Sequence, residues 1–273
     1  MNAIQNLDYY SKLANEDYYL ESGEPAGIWA GSGCKLLGLK GIVVESDYLN
    51  VMKGYSPDGK EKLCANAGEN HKIGWDLTFS FPKSVSVAWA RADHDLRDAI
   101  QKAQEQAVKA AIDLLESNAA ITRRGDGGAL RESTVGLVAA LFEHCTSRSK
   151  DVQIHTHCLI ANVSPRSDGS WGTIESRDLY LWQKAAGAIY RAELAAKLRE
   201  LNFEITQDKD SFKLEGIPQK LCDFYSKRSQ VIRKELAARG NIKSASKSGD
   251  LVTLATRTKK ETIDRKTLIK FPC

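Results

Sequence analysis

FEHCTSRSKDVQIHTHCLIANV, residues 142–163, decides the fold. It holds three of the five histidines, His144, His155 and His157. In an extended strand successive side chains alternate faces, so His155 and His157 share one face and Thr156 takes the other. Around them Ile154, Cys158, Leu159, Ile160 and Val163 read as a strand buried on part of both faces. A preceding strand is expected over residues 135–142, with His144 at its close. Residues 146–151 have loop composition, so a hairpin is the cheapest link. Folded that way, three imidazoles can meet at one point, a geometry suited to a divalent metal. A lone histidine would be read as a half-buried strand residue. Two at i and i+2, with a third on the strand before, favour a metal.

Upstream, GWDLTFSF (74–81) alternates as a strand, with Asp76, Thr78 and Ser80 on one face and Leu77, Phe79 and Phe81 on the other. Pro82 interrupts it, and KSVSVAWA continues as a helix or a second apolar segment. An aspartate at a strand start is commonly a cap or surface residue. On this polar face it could instead orient a histidine or a phenol. Apolar residues recurring at three and four predict amphipathic helices over 93–117, with Asp93 as cap, and over 179–201. A third helix is expected from residue 218 to Gly240. ITRRGDGGALRES (121–133) reads as two strands joined by a glycine turn; its Arg123, Arg124 and Arg131 are candidate DNA contacts. Turns are expected at Asp168-Gly169 and at QDKD (207–210). Residues 64–72 are polar and expected to be exposed. The GSG at 31–33 lacks a Walker pattern and a strand-to-helix phosphate cradle, so a nucleotide loop is not expected.

The chain of 273 residues, 42% hydrophobic and 27% charged, has the composition of a globular protein. No run approaches the roughly 18 apolar residues of a membrane span, and MNAIQNLDYY lacks a signal-peptide core. Membrane insertion is therefore not expected. The six cysteines form no CxxC, which suits reduced thiols and a cytoplasmic setting. The net charge of +4 is unevenly spread: residues 219–273 carry 14 Lys+Arg against 5 Asp+Glu, and residues 1–218 carry 25 against 30. A basic segment on a mildly acidic body suits a phosphate backbone, although a solvated helical face has the same composition. Near the start stand two tyrosine pairs, Tyr9-Tyr10 and Tyr18-Tyr19. By residue type alone they read as core or interface aromatics. A phenol can also serve as a nucleophile toward a metal-polarised electrophile.

Taken in order, the tyrosine pairs, DLTFSFPKSVS, His144…His155-Thr156-His157-CLIANV, DGSWGTIESRDLY, AAGAIYRAELAAKLRELNFEI and FYSKRSQVI closely resemble the N-terminal domain of conjugative plasmid relaxases. The class is the relaxase–helicase one (TraI/TrwC-type, MobF), and the resemblance covers nearly the whole chain. It implies an α/β, HUH endonuclease-like fold: an antiparallel central sheet carrying the histidine-metal site, with helices packed on it. It implies one relaxase domain over 1–273, without helicase motifs, whose basic segment from about 219 closes over DNA. The implied activity is metal-dependent nicking and strand transfer at a plasmid transfer origin through a 5′-phosphotyrosine. Tyr9 would be the first nucleophile, with Tyr10 beside it, and Tyr18 or Tyr19 would serve a second transfer. His144, His155 and His157 would hold the metal, magnesium or manganese foremost with zinc or nickel open, while Asp76 orients a histidine or helps deprotonate the tyrosine. Lys227 and Arg228 would join the hairpin arginines on DNA. Implied partners are single-stranded origin DNA and conjugation accessory and coupling proteins. Relatives carry a short apolar strand before the first tyrosine pair; with eight residues before Tyr9, either that strand is truncated here or a start codon lies upstream. The alternatives are a non-catalytic single-stranded DNA-binding module, a rolling-circle replication initiator, which shares the histidine pair, and a zinc hydrolase unrelated to DNA.

Overall fold

A computed structural model describes residues 1–7, 24–147 and 151–238. All four paired tyrosines and the basic stretch beyond Ala238 lie outside the described residues. The fold is the expected α/β arrangement around an antiparallel sheet. Five strands stand in the order β1 (Asn2–Ala3), β3 (Gly74–Ser80), β7 (Val152–Ala161), β6 (Ala139–Thr146), β2 (Ile28–Ala30), with every pairing antiparallel. The strand expected before the tyrosines is present as β1, which pairs with β3 at Asn2↔Asp76, and Ile4 then donates its N–H to Gly74.

The alternating sequences sort their side chains onto two sheet faces. One face presents Trp75, Leu77, Phe79, Ile154, Cys158 and Ile160 to α4 (His94–Ala119) and α5 (Ser176–Glu200). The long helices form as their apolar periodicity predicts, and the Asp93 carboxylate caps α4 by accepting from Leu96 N–H at 2.9 Å. α3 (Lys83–Arg91) follows Pro82 as a helix. The opposite face is covered by α1 (Ser32–Leu36) and α2 (Glu45–Met52), which bury Tyr48, Val51 and Met52 against Phe142, Leu159 and Val163. That second core ends at Phe142 and Leu159. The next side chains along the same face are the histidines.

Four local expectations need correction. The strand before the hairpin runs over Ala139–Thr146, so His144 lies within it. Residues 135–137 are drawn elsewhere: Val135 N–H bonds Pro165 O, and Leu137 N–H bonds the Glu116 carboxylate. The helix expected from 218 to 240 is two, α6 (Gln219–Phe224) and α7 (Lys227–Ala238). Ser226 turns its hydroxyl onto Cys222 O, and the buried Asp151 carboxylate accepts Lys227 N–H at 2.8 Å, so a new helix starts there. Within 64–72, Cys64 and His71 are buried under Gly54 and bonded to each other at 3.3 Å. Finally, GSG does join a strand to a helix. Gly31 has φ 93°, and a Cβ there would meet Leu137 O at 2.3 Å. The N–H of Ser32 is already taken by Glu116 at 2.6 Å, which leaves no place for a phosphate.

The remaining turns fall where expected: β4 (Ile121–Arg124) with β5 (Leu130–Ser133), β8 (Ser164–Pro165) with β9 (Trp171–Gly172), and β10 (Ile205–Asp208) with β11 (Ser211–Leu214). Among the described residues Cys34, Cys64, Cys145, Cys158 and Cys222 form no disulfide. No described helix is long and apolar enough to cross a membrane.

Candidate metal centre

In the β6–β7 hairpin His144 stands directly opposite His155, and Phe142 opposite His157. The three histidines therefore occupy one face and two neighbouring rows. Their ring centroids lie 5.2 to 5.3 Å apart in all three pairs, a nearly equilateral triangle. One nitrogen from each lies within 4.8 Å of the others. His144 is buried, while His155 and His157 are half-buried.

Two of the rings are oriented from behind. His155 Nδ1 faces Gln153 O at 2.8 Å, and His157 Nδ1 faces Asp76 Oδ2 at 2.8 Å. Only a protonated Nδ1 bonds an acceptor of this kind, and a neutral ring then keeps its Nε2 lone pair for a ligand. Thr78, opposite His157 on β3, adds its hydroxyl to Asp76 Oδ1 at 3.3 Å. Asp76 is buried. A carboxylate behind an imidazole fixes the tautomer and raises its basicity toward a cation. Three neutral nitrogen donors with this support suit a first-row divalent ion, and the donor set fits the metal that the sequence pattern implied.

The flanks of the tyrosine segment are tied at opposite edges of this sheet. Ile4 is fixed at the β1 edge. Glu24 lies buried at the β2 edge, where its Oε1 accepts the N–H of Cys145 at 3.0 Å, one residue from His144. Nothing in the sequence marked Glu24, because its partner lies 121 residues away.

Other expected contacts fall in two groups. Arg123 and Arg131 both hold Glu175, at 2.7 and 2.6 Å, and Arg131 also reaches Asp178. Arg124 pairs with Asp168 at 2.6 Å. These bonds join the β4–β5 hairpin to the start of α5 and to the turn at Asp168, and the two arginines hold the Glu175 carboxyl down at about 2. Lys227 and Arg228 instead open α7, and Arg228 lines a cavity of about 320 Å³ together with Lys83, Asp151, Gln153 and Arg233. The lining reaches the metal centre through Gln153, whose carbonyl holds His155. Lys83 was missed in the sequence. Its ammonium donates to Val152 O at 2.8 Å, and burial lowers its pKa to about 8.

With this geometry in view, the chain can be set beside known proteins. Residues 3–270 match the family model described as TrwC relaxase. The chain belongs to the TrwC relaxase family. It is 34% identical over 270 residues to the multifunctional conjugation protein TraI of Escherichia coli K12; the match takes in 94% of this chain and 14% of that protein. The family member described here thus spans about a seventh of that relative. Among solved structures, it superposes on the conjugative relaxase TrwC in complex with mutant OriT DNA with a TM-score of 0.84 at 32% identity, covering 98% of this chain and 92% of that one. The metal-bound TrwC–OriT DNA structure gives 0.84 at 31% identity, covering 98% and 93%. TrwC with a 27-mer comprising the recognition hairpin and the cleavage site gives 0.84 at 30%, covering 98% and 92%.

Proposed function

We propose that this chain is a metal-dependent DNA relaxase that nicks one strand at a plasmid transfer origin and holds the cut 5′ end as a phosphotyrosine. The observation that carries this reading is the triangle of three imidazoles with Asp76 fixed behind one of them. Membership of the relaxase family and the likeness to DNA-bound and metal-bound TrwC support it. His144, His155 and His157 would hold a divalent ion; the resemblance puts magnesium and manganese foremost, whereas the imidazole donors themselves favour zinc or nickel. When bound, that ion offsets the negative charge of the scissile phosphate.

The chain's own residues do the rest. Tyr9 attacks phosphorus: a phenolic O–P bond forms, the bond to the 3′ oxygen breaks, and that oxygen leaves as a 3′-hydroxyl. A phenol has a pKa near 10, so its proton passes to water during attack, and the departing 3′ oxygen takes a proton from solvent. Asp76 is committed to His157 and acts chiefly by orienting it. Tyr10 stands beside the nucleophile, and Tyr18 or Tyr19 serves a second transfer. The whole of 1–273 acts as one relaxase domain, and the basic segment from 219, with Lys227 and Arg228, closes over single-stranded DNA. The hairpin arginines Arg123, Arg124 and Arg131 contact DNA only through donors their carboxylates leave over. Conjugation accessory and coupling proteins are the expected partners.

The test is covalent capture. With a single-stranded origin oligonucleotide and manganese, the protein forms an adduct that survives denaturation, and peptide mass places it on Tyr9. Tyr9→Phe loses most first-turnover adduct while keeping DNA affinity, whereas Tyr18→Phe keeps the first cut and fails the second transfer. A first adduct wholly on Tyr18 or Tyr19 reverses the assignment. DNA binding without adduct in any metal makes the chain a binding module instead.

A further inference from the structure

The apolar face of the sheet carries an unexpected polar row behind the histidines. Phe79, Thr156 and Glu143 are cross-strand partners on β3, β7 and β6. Thr156 points toward the helices, between the two residues that point toward the metal centre. Its neighbours in register are the pairs Thr78↔His157 and Ser80↔His155 on one side, and His144↔His155 on the other.

Two glutamines of α4, one turn apart, grip this row. Gln104 Nε2 donates to Phe79 O at 3.2 Å and to Thr156 Oγ1 at 3.1 Å. Its Oε1 accepts the Tyr190 hydroxyl of α5 at 2.6 Å. Gln101 Nε2 donates to Glu143 Oε1 at 2.8 Å. Gln104 is fully buried, and both its donors and its acceptor are used. Burial also pushes the Tyr190 hydroxyl well above its ordinary range, so it remains a donor at any working pH.

A leucine would fill the same place in this core at no desolvation cost, whereas a buried amide is tolerated only when bonded. Apolar packing also leaves strands able to slide or twist by fractions of an ångström, because it is non-directional. Hydrogen bonds of defined length and angle do not. The backbone ladder sets the spacing of the two strands that carry the imidazoles, and the glutamine grip sits at the level where it can fix their local twist.

We propose that Gln104, supported by Tyr190 and Gln101, is a positioning residue for the metal-binding histidines: it ties β3 to β7 while Gln101 ties β6 to the same helix, and the tied row behind the histidines sets the placement of the three rings. This rests on the metal-site reading above. It touches neither metal nor DNA and acts only through the strand row.

Cobalt(II) titration of the full chain, followed by its visible absorption, tests it. The cobalt-loaded wild type gives a reference band and affinity. Gln104→Leu, with secondary structure and melting checked, binds cobalt about tenfold more weakly, as outer-shell losses do, with a shifted band. Tyr190→Phe moves both in the same direction by less, and the double variant adds little to Gln104→Leu, since one bond chain is cut twice. In the metal-free protein, amide exchange at Phe79 and Thr156 quickens in Gln104→Leu. Single-turnover cleavage slows while DNA affinity holds. If Gln104→Leu does not fold, Thr156→Val removes one end of the same bond and is read in the same way. A folded variant with wild-type cobalt affinity and spectrum overturns the proposal. Cobalt binding that survives His155→Ala at wild-type affinity overturns the metal-site reading instead.

Discussion

Asp76 is the residue on which the metal centre leans most directly. It holds His157 Nδ1 at 2.8 Å and is itself buried on the sheet. Asp76→Ala frees the His157 ring to rotate and to exchange tautomers. Metal affinity is expected to fall roughly ten- to a hundredfold with the fold retained, measured by metal titration beside a melting curve. Lys83 offers a test of a different kind. Burial lowers its pKa from 10.5 to about 8, against a smaller opposing pull from Asp151. Between about pH 8 and 10.5 the unfolded chain therefore holds a proton that the folded one has released, and stability rises with pH across that window. Relative to wild type, Lys83→Met should lack this rise, so the difference in melting temperature between the two proteins changes between pH 8 and 10.5 and is flat below. A pH-independent difference would mean that Lys83 keeps its ordinary titration.

At the scale of elements, α7 is started by a residue from elsewhere in the chain. Asp151 precedes the histidine strand and caps Lys227 N–H at 2.8 Å. Asp151→Ala should quicken amide exchange through 227–238 while leaving α4 and α5 protected, measured by hydrogen exchange with mass readout. This element also shows where the sequence stops being legible. α4 and α5 could be read from their periodicity because each carries its own apolar stripe. The histidine face followed from strand alternation alone, and Asp76 could be placed on the polar face of its strand. The break between α6 and α7 depends on a carboxylate 76 residues away, and local periodicity continues across it. Glu24 and Gln104 were hidden for the same reason: their meaning lies in a distant strand. The hairpin arginines looked available for phosphate because their nearest carboxylate partners, Glu175 and Asp168, stand 44 or more residues further on.

For the whole molecule, the uneven charge is what the proposed function would use to hold a single strand. Residues 243–273 carry eight Lys+Arg against three Asp+Glu. α7 leads toward them with Lys227, Arg228, Arg233 and Lys234. Each phosphate neutralised on a single strand steepens the logarithmic salt dependence of binding by about 0.7. Removing 243–273 should lower affinity for a single-stranded oligonucleotide and flatten that slope, as followed by fluorescence anisotropy between low and physiological salt. An unchanged slope would mark the segment as a solvated face.

The order of strands in the sheet also has a consequence for the protein's birth on the ribosome. The first two strands made, β1 and β2, are the two outermost in the sheet. Beyond a local bridge from Ile28 to Ile42, β2 has no neighbour in the sheet until residues 139–141 emerge, roughly 110 residues later, a wait of about 5–20 s at ordinary translation rates. The tyrosines are thus synthesised long before the histidines at 155 and 157 exist. Under the proposed function, a nascent chain would carry its nucleophile with nothing to activate the phosphate it attacks, and cutting competence would arrive only with the last central strand.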